Sequence, residues 1–100
     1  MADGTTNASN IGEISTIVDV TDVRVYKYGK VVVVSIHNFN RGNGIYTITN
    51  APVSRTYSAT ILTNGAINQG DAWIDTNTTT INVHQTSTGP CFGSFTYFTD

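Results

Sequence analysis

Several residue types are scarce in this chain, and each shortage excludes a class of protein. Cys91 is the single cysteine among 100 residues, so no internal disulfide can form and the fold has to rely on its core. No apolar run is long enough for a membrane-spanning helix, and residues 1–10 lack the apolar centre of a signal peptide. We therefore expect neither a disulfide framework nor insertion into a membrane.

Charge is also scarce. Charged residues make up 12% of the chain, the formal net charge is -2, and no acidic or basic block occurs. A nucleic-acid partner therefore has no electrostatic support. Threonine, asparagine and serine supply the polarity instead, and such neutral surfaces suit hydrogen bonding to neutral ligands such as sugars, although they are also common in β proteins.

Strong helix formers are nearly missing, since the chain has one leucine, Leu62, and one glutamate, Glu13. Valine, isoleucine and threonine dominate, which favours β-strands. Turn residues divide the chain into short predicted strands at 13–20, 23–28, 30–39, 45–49, 55–63, 66–68, 72–75, 79–84 and 92–99. We predict an all-β fold, an antiparallel, jelly-roll-like β-sandwich over residues 11–100, preceded by a flexible leader or cloning remnant at 1–10.

Glycines mark the expected reversals. Gly29 separates the first two strands of the hairpin, and Asn64-Gly65 is the dipeptide that best supports a two-residue hairpin turn. The segment 69–71 predicts a further turn, between two short strands.

Two strands carry apolar residues on both faces. Residues 31–34 are four consecutive valines, and the last strand has Phe95 and Tyr97 on one face with Phe92 and Phe98 on the other. A small domain has one interior, so the second apolar face predicts association of identical chains. The residues predicted for the buried subunit interface are Tyr26, Tyr28, Phe95 and Tyr97.

A family resemblance follows from these segments. The strand pair "VRVYKYGKVVVVSI", the Trp-bearing "NQGDAWI" and the ending "GSFTYFTD" resemble the C-terminal head domains of tail-fibre and baseplate receptor-binding proteins from phages and prophages of Gram-positive hosts. The resemblance implies a homotrimeric head at the phage tail tip that adheres to a carbohydrate outside the host cell. It supplies no functional residue that can be transferred to this chain.

The ligand candidates come from the residues themselves. Trp73 shares strand parity with Asp71 and Asp75, and an aromatic face beside carboxylates can stack on and hydrogen-bond to a sugar; a core or interface role for Trp73 is the alternative. Tyr46 lies near an Asn-rich loop, where tyrosine is favoured for binding, and Arg41 could contact an anionic substituent of a glycan. Both also fit ordinary sheet and loop positions.

Catalysis and cofactors have little support. His37 and His84 are the only histidines and are not spaced as a ligand pair, so we predict no metal centre, although a threefold axis could bring three copies of one histidine together. No nucleophile motif and no facing pair of carboxylates is present, so we expect no enzyme and no cofactor. Two other functions stay open: a structural trimerisation knob of a fibre, and a carbohydrate-binding module appended to an enzyme.

Overall fold

The computed structural model describes residues 22–100, so the predicted leader and the predicted strand at 13–20 lie outside the described residues. The described part contains seven β-strands and no helix, and hence no helix that could span a membrane. The strands are β1 (Val23–Tyr28), β2 (Val31–Phe39), β3 (Gly44–Ile48), β4 (Ser58–Asn64), β5 (Ile67–Ile74), β6 (Ile81–Gln85) and β7 (Cys91–Phe98).

All seven strands belong to one curled antiparallel sheet with the order β1-β2-β7-β4-β5-β6-β3. A single residue pair, Thr63 with Phe92, joins β4 to β7, so the sheet divides at this point into two parts. We call β1, β2 and β7 the first wing, and β4, β5, β6 and β3 the second wing. One cluster of buried residues contains members of both wings, and the prediction of an all-β antiparallel fold is confirmed.

The run of four valines obeys ordinary strand alternation. Val32 and Val34 are fully buried, whereas Val31 and Val33 are half-buried on the outer face of the first wing. On that outer face Val33 lies between Tyr26 and Thr96, and Val31 lies between Tyr28 and Phe98. The first wing is therefore apolar on both faces, as the sequence predicts.

The four residues predicted for a subunit interface do not share a face. Phe95 and Tyr97 are only 6% and 0% exposed because they point into the chain's own core. Tyr26 and Tyr28 are half-buried on the opposite, outer face. The interface predicted from the sequence is corrected accordingly: Phe95 and Tyr97 belong to the interior, and Phe98, 55% exposed, is the aromatic residue of β7 that lies with the two tyrosines.

Both predicted hairpin reversals are present, although the second turn occupies residues 65–66 and not 64–65, because Asn64 still pairs with Ile67. Gly29 has φ 60° in the two-residue turn between β1 and β2, and Gly65 has φ 63° in the turn between β4 and β5. Glycine adopts this left-handed conformation without the steric cost that a Cβ imposes.

The predicted turn at 69–71 is wrong, because β5 runs through it without a break. Leu62 pairs with Gly70 and Thr63 pairs with Asn68, so Gln69 is an extra residue that forms a bulge. Gly70 has φ 145°, and a Cβ at this position would lie 2.0 Å from the backbone oxygen of His84. The glycine is thus needed for close approach of two strands and not for a reversal.

The long connection at 49–57 crosses one end of the curled sheet. Its backbone donates hydrogen bonds from Ala51 to Thr79, from Ser54 to Thr78 and from Arg55 to Phe98. Tyr97 Oη donates to the carbonyl of Pro52 at 2.8 Å, and burial raises the pKa of this phenol. Ala51 of this connection is buried in the core cluster, so the connection packs against the strands as well as hydrogen-bonding to them.

Candidate functional site

The outer face of the second wing carries the predicted Trp73 and Asp71. Ala72 and Ile74 are fully buried, so alternation along β5 directs Asp71 and Trp73 outward. Cross-strand pairing then sets two rows: Ala59, Trp73, Asn82 and Thr47 in one, and Ile61, Asp71, His84 and Ile45 in the other. We call the outward residues of β4, β5 and β6 in these rows the Trp73 face: Ala59, Ile61, Asp71, Trp73, Asn82 and His84.

Trp73 is half-buried, and its cross-strand neighbours are small or polar. Ala59 lies opposite it on β4, and Asn82 lies opposite it on β6. Neither neighbour carries a bulky side chain, which favours access to the indole from outside. An accessible indole among polar groups can stack on the apolar face of a sugar ring.

Asp71 and His84 form a pair beside the indole. His84 Nδ1 lies 3.2 Å from Asp71 Oδ1, and the two side chains are 39% and 49% exposed, respectively. The sequence prediction included Asp71 but regarded His84 as an ordinary sheet residue. Detecting the pair from sequence requires the register of β5 against β6, because the two residues are thirteen positions apart.

Asn82 adds an amide to the same face. Its Nδ2 lies 3.4 Å from the carbonyl oxygens of both Trp73 and Thr80, which is long for a hydrogen bond. These contacts hold the amide only weakly, so a hydroxyl oxygen of a ligand can replace either carbonyl oxygen as the acceptor. Asn82 was also missed in the sequence prediction.

Arg41 and Tyr46 lie elsewhere, at a corner that includes the start of β1 and the loop between β2 and β3. Arg41 Nε and Nη2 donate to the two carboxylate oxygens of Asp22 at 2.8 and 2.7 Å. The guanidinium lies 4.9 Å from the ring centre of Phe39 and 5.9 Å from that of Tyr46. Hydrogen bonding to Arg41 lowers the pKa of Asp22.

Tyr46 contributes to this corner from the inner side of β3. Its Oη donates to the carbonyl of Arg41 at 2.6 Å and lies 3.0 Å from that of Gly42. Its ring packs edge-on against Phe39 at 5.4 Å and against the buried core. The four predicted ligand residues thus divide into two separate pairs: Trp73 with Asp71 on the outer face, and Arg41 with Tyr46 in a corner where both have intramolecular partners.

The remaining candidates for chemistry are dispersed. Within residues 22–100 no three His, Cys, Asp or Glu side chains are grouped so that they could hold a metal ion. His37 packs edge-on against Phe92 at 5.1 Å, and Cys91 is buried with Sγ 3.1 Å from the carbonyl oxygen of Phe39. Burial raises the pKa of this thiol, which disfavours the reactive thiolate.

The described residues also enclose no pocket, so the Trp73 face is an open surface. No protein-family model, no curated protein and no solved structure matches this chain.

Proposed function

We propose that this chain is an adhesion head of the phage tail-fibre type, which binds a carbohydrate of the host cell surface through the Trp73 face. The observation that carries the proposal is the position of an accessible tryptophan next to the Asp71–His84 pair on one open surface. The head acts at the tail tip of the virion, outside the host cell, and its mechanism is binding without turnover.

The chemistry of the Trp73 face matches what a sugar ring requires. A hexose has an apolar face of C–H groups and a rim of hydroxyl groups that donate and accept hydrogen bonds. Trp73 supplies the aromatic surface, whereas Asp71, Asn82 and His84 supply acceptors and donors around it. The exposed side chain of Ile61 extends the apolar area on the β4 side.

Association of three copies belongs to the same proposal. The outer face of the first wing has a continuous apolar stripe composed of Tyr26, Tyr28, Val31, Val33 and Phe98. We propose that this stripe is the contact between copies in a homotrimer of β-sandwich heads. The Trp73 face lies on the other wing, so contact between copies through the stripe does not cover it. A trimer then presents three glycan sites, and simultaneous binding at three weak sites gives firm attachment.

Binding of the fluorescently labelled chain to an array of cell-surface glycans and to a panel of Gram-positive cells tests the proposal. We expect wild-type binding and at least a ten-fold loss in Trp73→Ala, which removes the stacking surface. Ile67→Ala is the control, because Ile67 is a 64% exposed apolar residue at the opposite end of β5, outside the Trp73 face. Binding that survives Trp73→Ala, or no binding to any glycan or cell, contradicts the proposal.

Two other functions have an observation in their favour. The apolar stripe of the first wing also suits a structural trimerisation knob, in which Trp73→Ala leaves host adsorption unchanged. The Trp73 face also suits a carbohydrate-binding module appended to an enzyme, which functions as a single copy. Light scattering of the purified chain separates the monomeric module from the two trimeric functions.

A further inference from the structure

Within residues 22–100, the carboxylates of Asp71 and Asp75 are the permanently charged groups on the Trp73 face and directly after it along the chain. Asp71 comes two residues before Trp73 on β5, about 7 Å away along the extended strand, and the exposed Asp75 follows directly after the end of β5. His84 contacts Asp71 and is charged only when protonated. The face is therefore negative or, at most, locally neutral.

No lysine or arginine lies on the Trp73 face. The five basic side chains of the chain are Arg24, Lys27, Lys30, Arg41 and Arg55. Arg24, Lys27 and Lys30 belong to β1 and the turn after it, in the first wing. Arg41 is paired with Asp22, and Arg55 is paired with the side-chain carboxylate of Asp100 and with Asn77.

From this distribution we infer that the Trp73 face selects uncharged and amine-bearing sugars and rejects sugars that carry a carboxylate, sulfate or phosphate. The inference rests on the proposed function and adds the class of ligand. A carboxylate accepts hydrogen bonds from sugar hydroxyls and attracts an ammonium group, whereas it repels an anionic substituent. An anionic sugar stacked on Trp73 would meet one or two like charges and no guanidinium or ammonium on the Trp73 face itself. Arg55, which bonds Asn77 in the turn after Asp75, is already paired with Asp100.

Solvent limits the size of this discrimination. Asp71 is half exposed and Asp75 is exposed, so water and salt screen their fields. We therefore expect anionic sugars to bind about three- to ten-fold more weakly than their neutral counterparts at low salt. Amine-bearing sugars are expected to bind as well as the neutral ones or better.

A matched panel of oligosaccharides tests the inference with the wild-type chain. For each of the gluco, galacto and manno configurations, the panel contains the neutral hexose, the amino sugar, the uronic acid and the phosphorylated sugar. Hits among neutral or amino sugars, with their anionic counterparts at least three-fold weaker, support the inference. Anionic sugars that bind as well as their neutral counterparts overturn it.

A charge-neutralised variant sharpens the test. Asp71→Asn/Asp75→Asn removes both carboxylates at nearly constant side-chain size. The ratio of anionic to neutral binding should rise about three- to ten-fold in this variant, and the same rise should occur in the wild type at 1 M salt. A ratio that does not change in either experiment shows that these carboxylates do not select the ligand.

Failure of the inference and failure of the proposed function give different results. If sugars of every charge class bind equally and Trp73→Ala abolishes all binding, the result supports the adhesion function and contradicts only the charge selection. If no member of the panel, the glycan array or the cell panel binds, the proposed function falls, and the inference falls with it.

Discussion

The two wings bury similar inner faces but present different outer faces. Inside, both contribute aliphatic residues to one core, such as Val34 from the first wing and Ile81 from the second. Outside, the first wing has a stripe of valine and aromatic residues, whereas the second mixes Trp73 and the exposed isoleucines Ile45 and Ile61 with the polar side chains of Asp71, Asn82 and His84. Strand alternation is common to both wings, so the chemistry of the outward residues makes the difference. The proposed contact between copies therefore lies on the first wing and the proposed ligand contact on the second.

The largest expected loss of stability comes from substituting an inward residue of β7, in contrast to an outward residue of the same strand. Phe95→Ala should lower the free energy of unfolding by about 3–5 kcal/mol, because it leaves a cavity in the core. Phe98→Ala, on the outer face, should lower it by about 1 kcal/mol or less in the single chain. Urea unfolding of both variants under monomeric conditions measures the difference.

The same pair of variants tests the apolar stripe. Phe98→Ala should weaken self-association at concentrations where the wild type is oligomeric, as measured by analytical ultracentrifugation. An unchanged sedimentation profile for Phe98→Ala would remove the stripe from the proposed contact. Similar losses of stability in the two variants would contradict the difference between the faces.

The bulge of the second wing gives the next largest effect. Gly70→Ala should destabilise the fold by about 3 kcal/mol, because its Cβ would collide with the backbone oxygen of His84. Gly65→Ala is the control: its φ is also positive but nothing lies within 4 Å of its Cβ, so it should cost about 1 kcal/mol. Thermal unfolding of both variants checks the order, and a Gly70→Ala chain as stable as the wild type would disprove the close approach.

The corner formed by Arg41 and Asp22 predicts a pH dependence. The pKa of Asp22 is lower in the folded chain, so its stabilising contribution is present above the unfolded pKa of about 4 and is lost as the pH falls through the folded value. We expect Asp22→Asn to be less stable than the wild type by about 1 kcal/mol at pH 7 and this difference to be smaller at pH 3. A stability difference that stays constant between these pH values would contradict the ion pair.

The smallest expected effect concerns Trp73 itself. Because Trp73 is half-buried on the outer face, Trp73→Ala should lower the free energy of unfolding by about 1 kcal/mol. Chemical denaturation measures this loss of unfolding free energy. If the loss is small, the variant is folded, and weaker sugar binding can be attributed to the missing indole. A loss of several kcal/mol would instead indicate that Trp73 is a core residue.

The strands of the first wing were predictable from local signals. The alternation around 23–28 and the glycine at position 29 are properties of neighbouring residues, and both are present as expected. The interruption predicted in β5 was wrong because Gly70 signals either a turn or a bulge, and only the partner strand distinguishes them. Local signals thus identify strands better than they identify what interrupts them.

The candidate site was predictable only in part. Parity along β5 was enough to group Trp73 with Asp71, but His84 and Asn82 join them through the register between β5 and β6. Likewise, the alternation of residues along β7 predicts that Phe95 and Phe98 lie on opposite faces, but it does not show which of the two points inward. Contacts between strands depend on pairing across the sheet, which a single strand's pattern does not contain.

Intrinsic fluorescence shows whether the ligand contacts Trp73, because Trp73 is the only tryptophan in the chain. Titration with a sugar that the array identifies should change the intensity or wavelength of the Trp73 emission, and the change should be half complete when the free sugar concentration equals the independently measured dissociation constant. If the sugar binds with that affinity while the emission of Trp73 stays constant, the ligand lies elsewhere on the molecule and the account of the second wing is wrong.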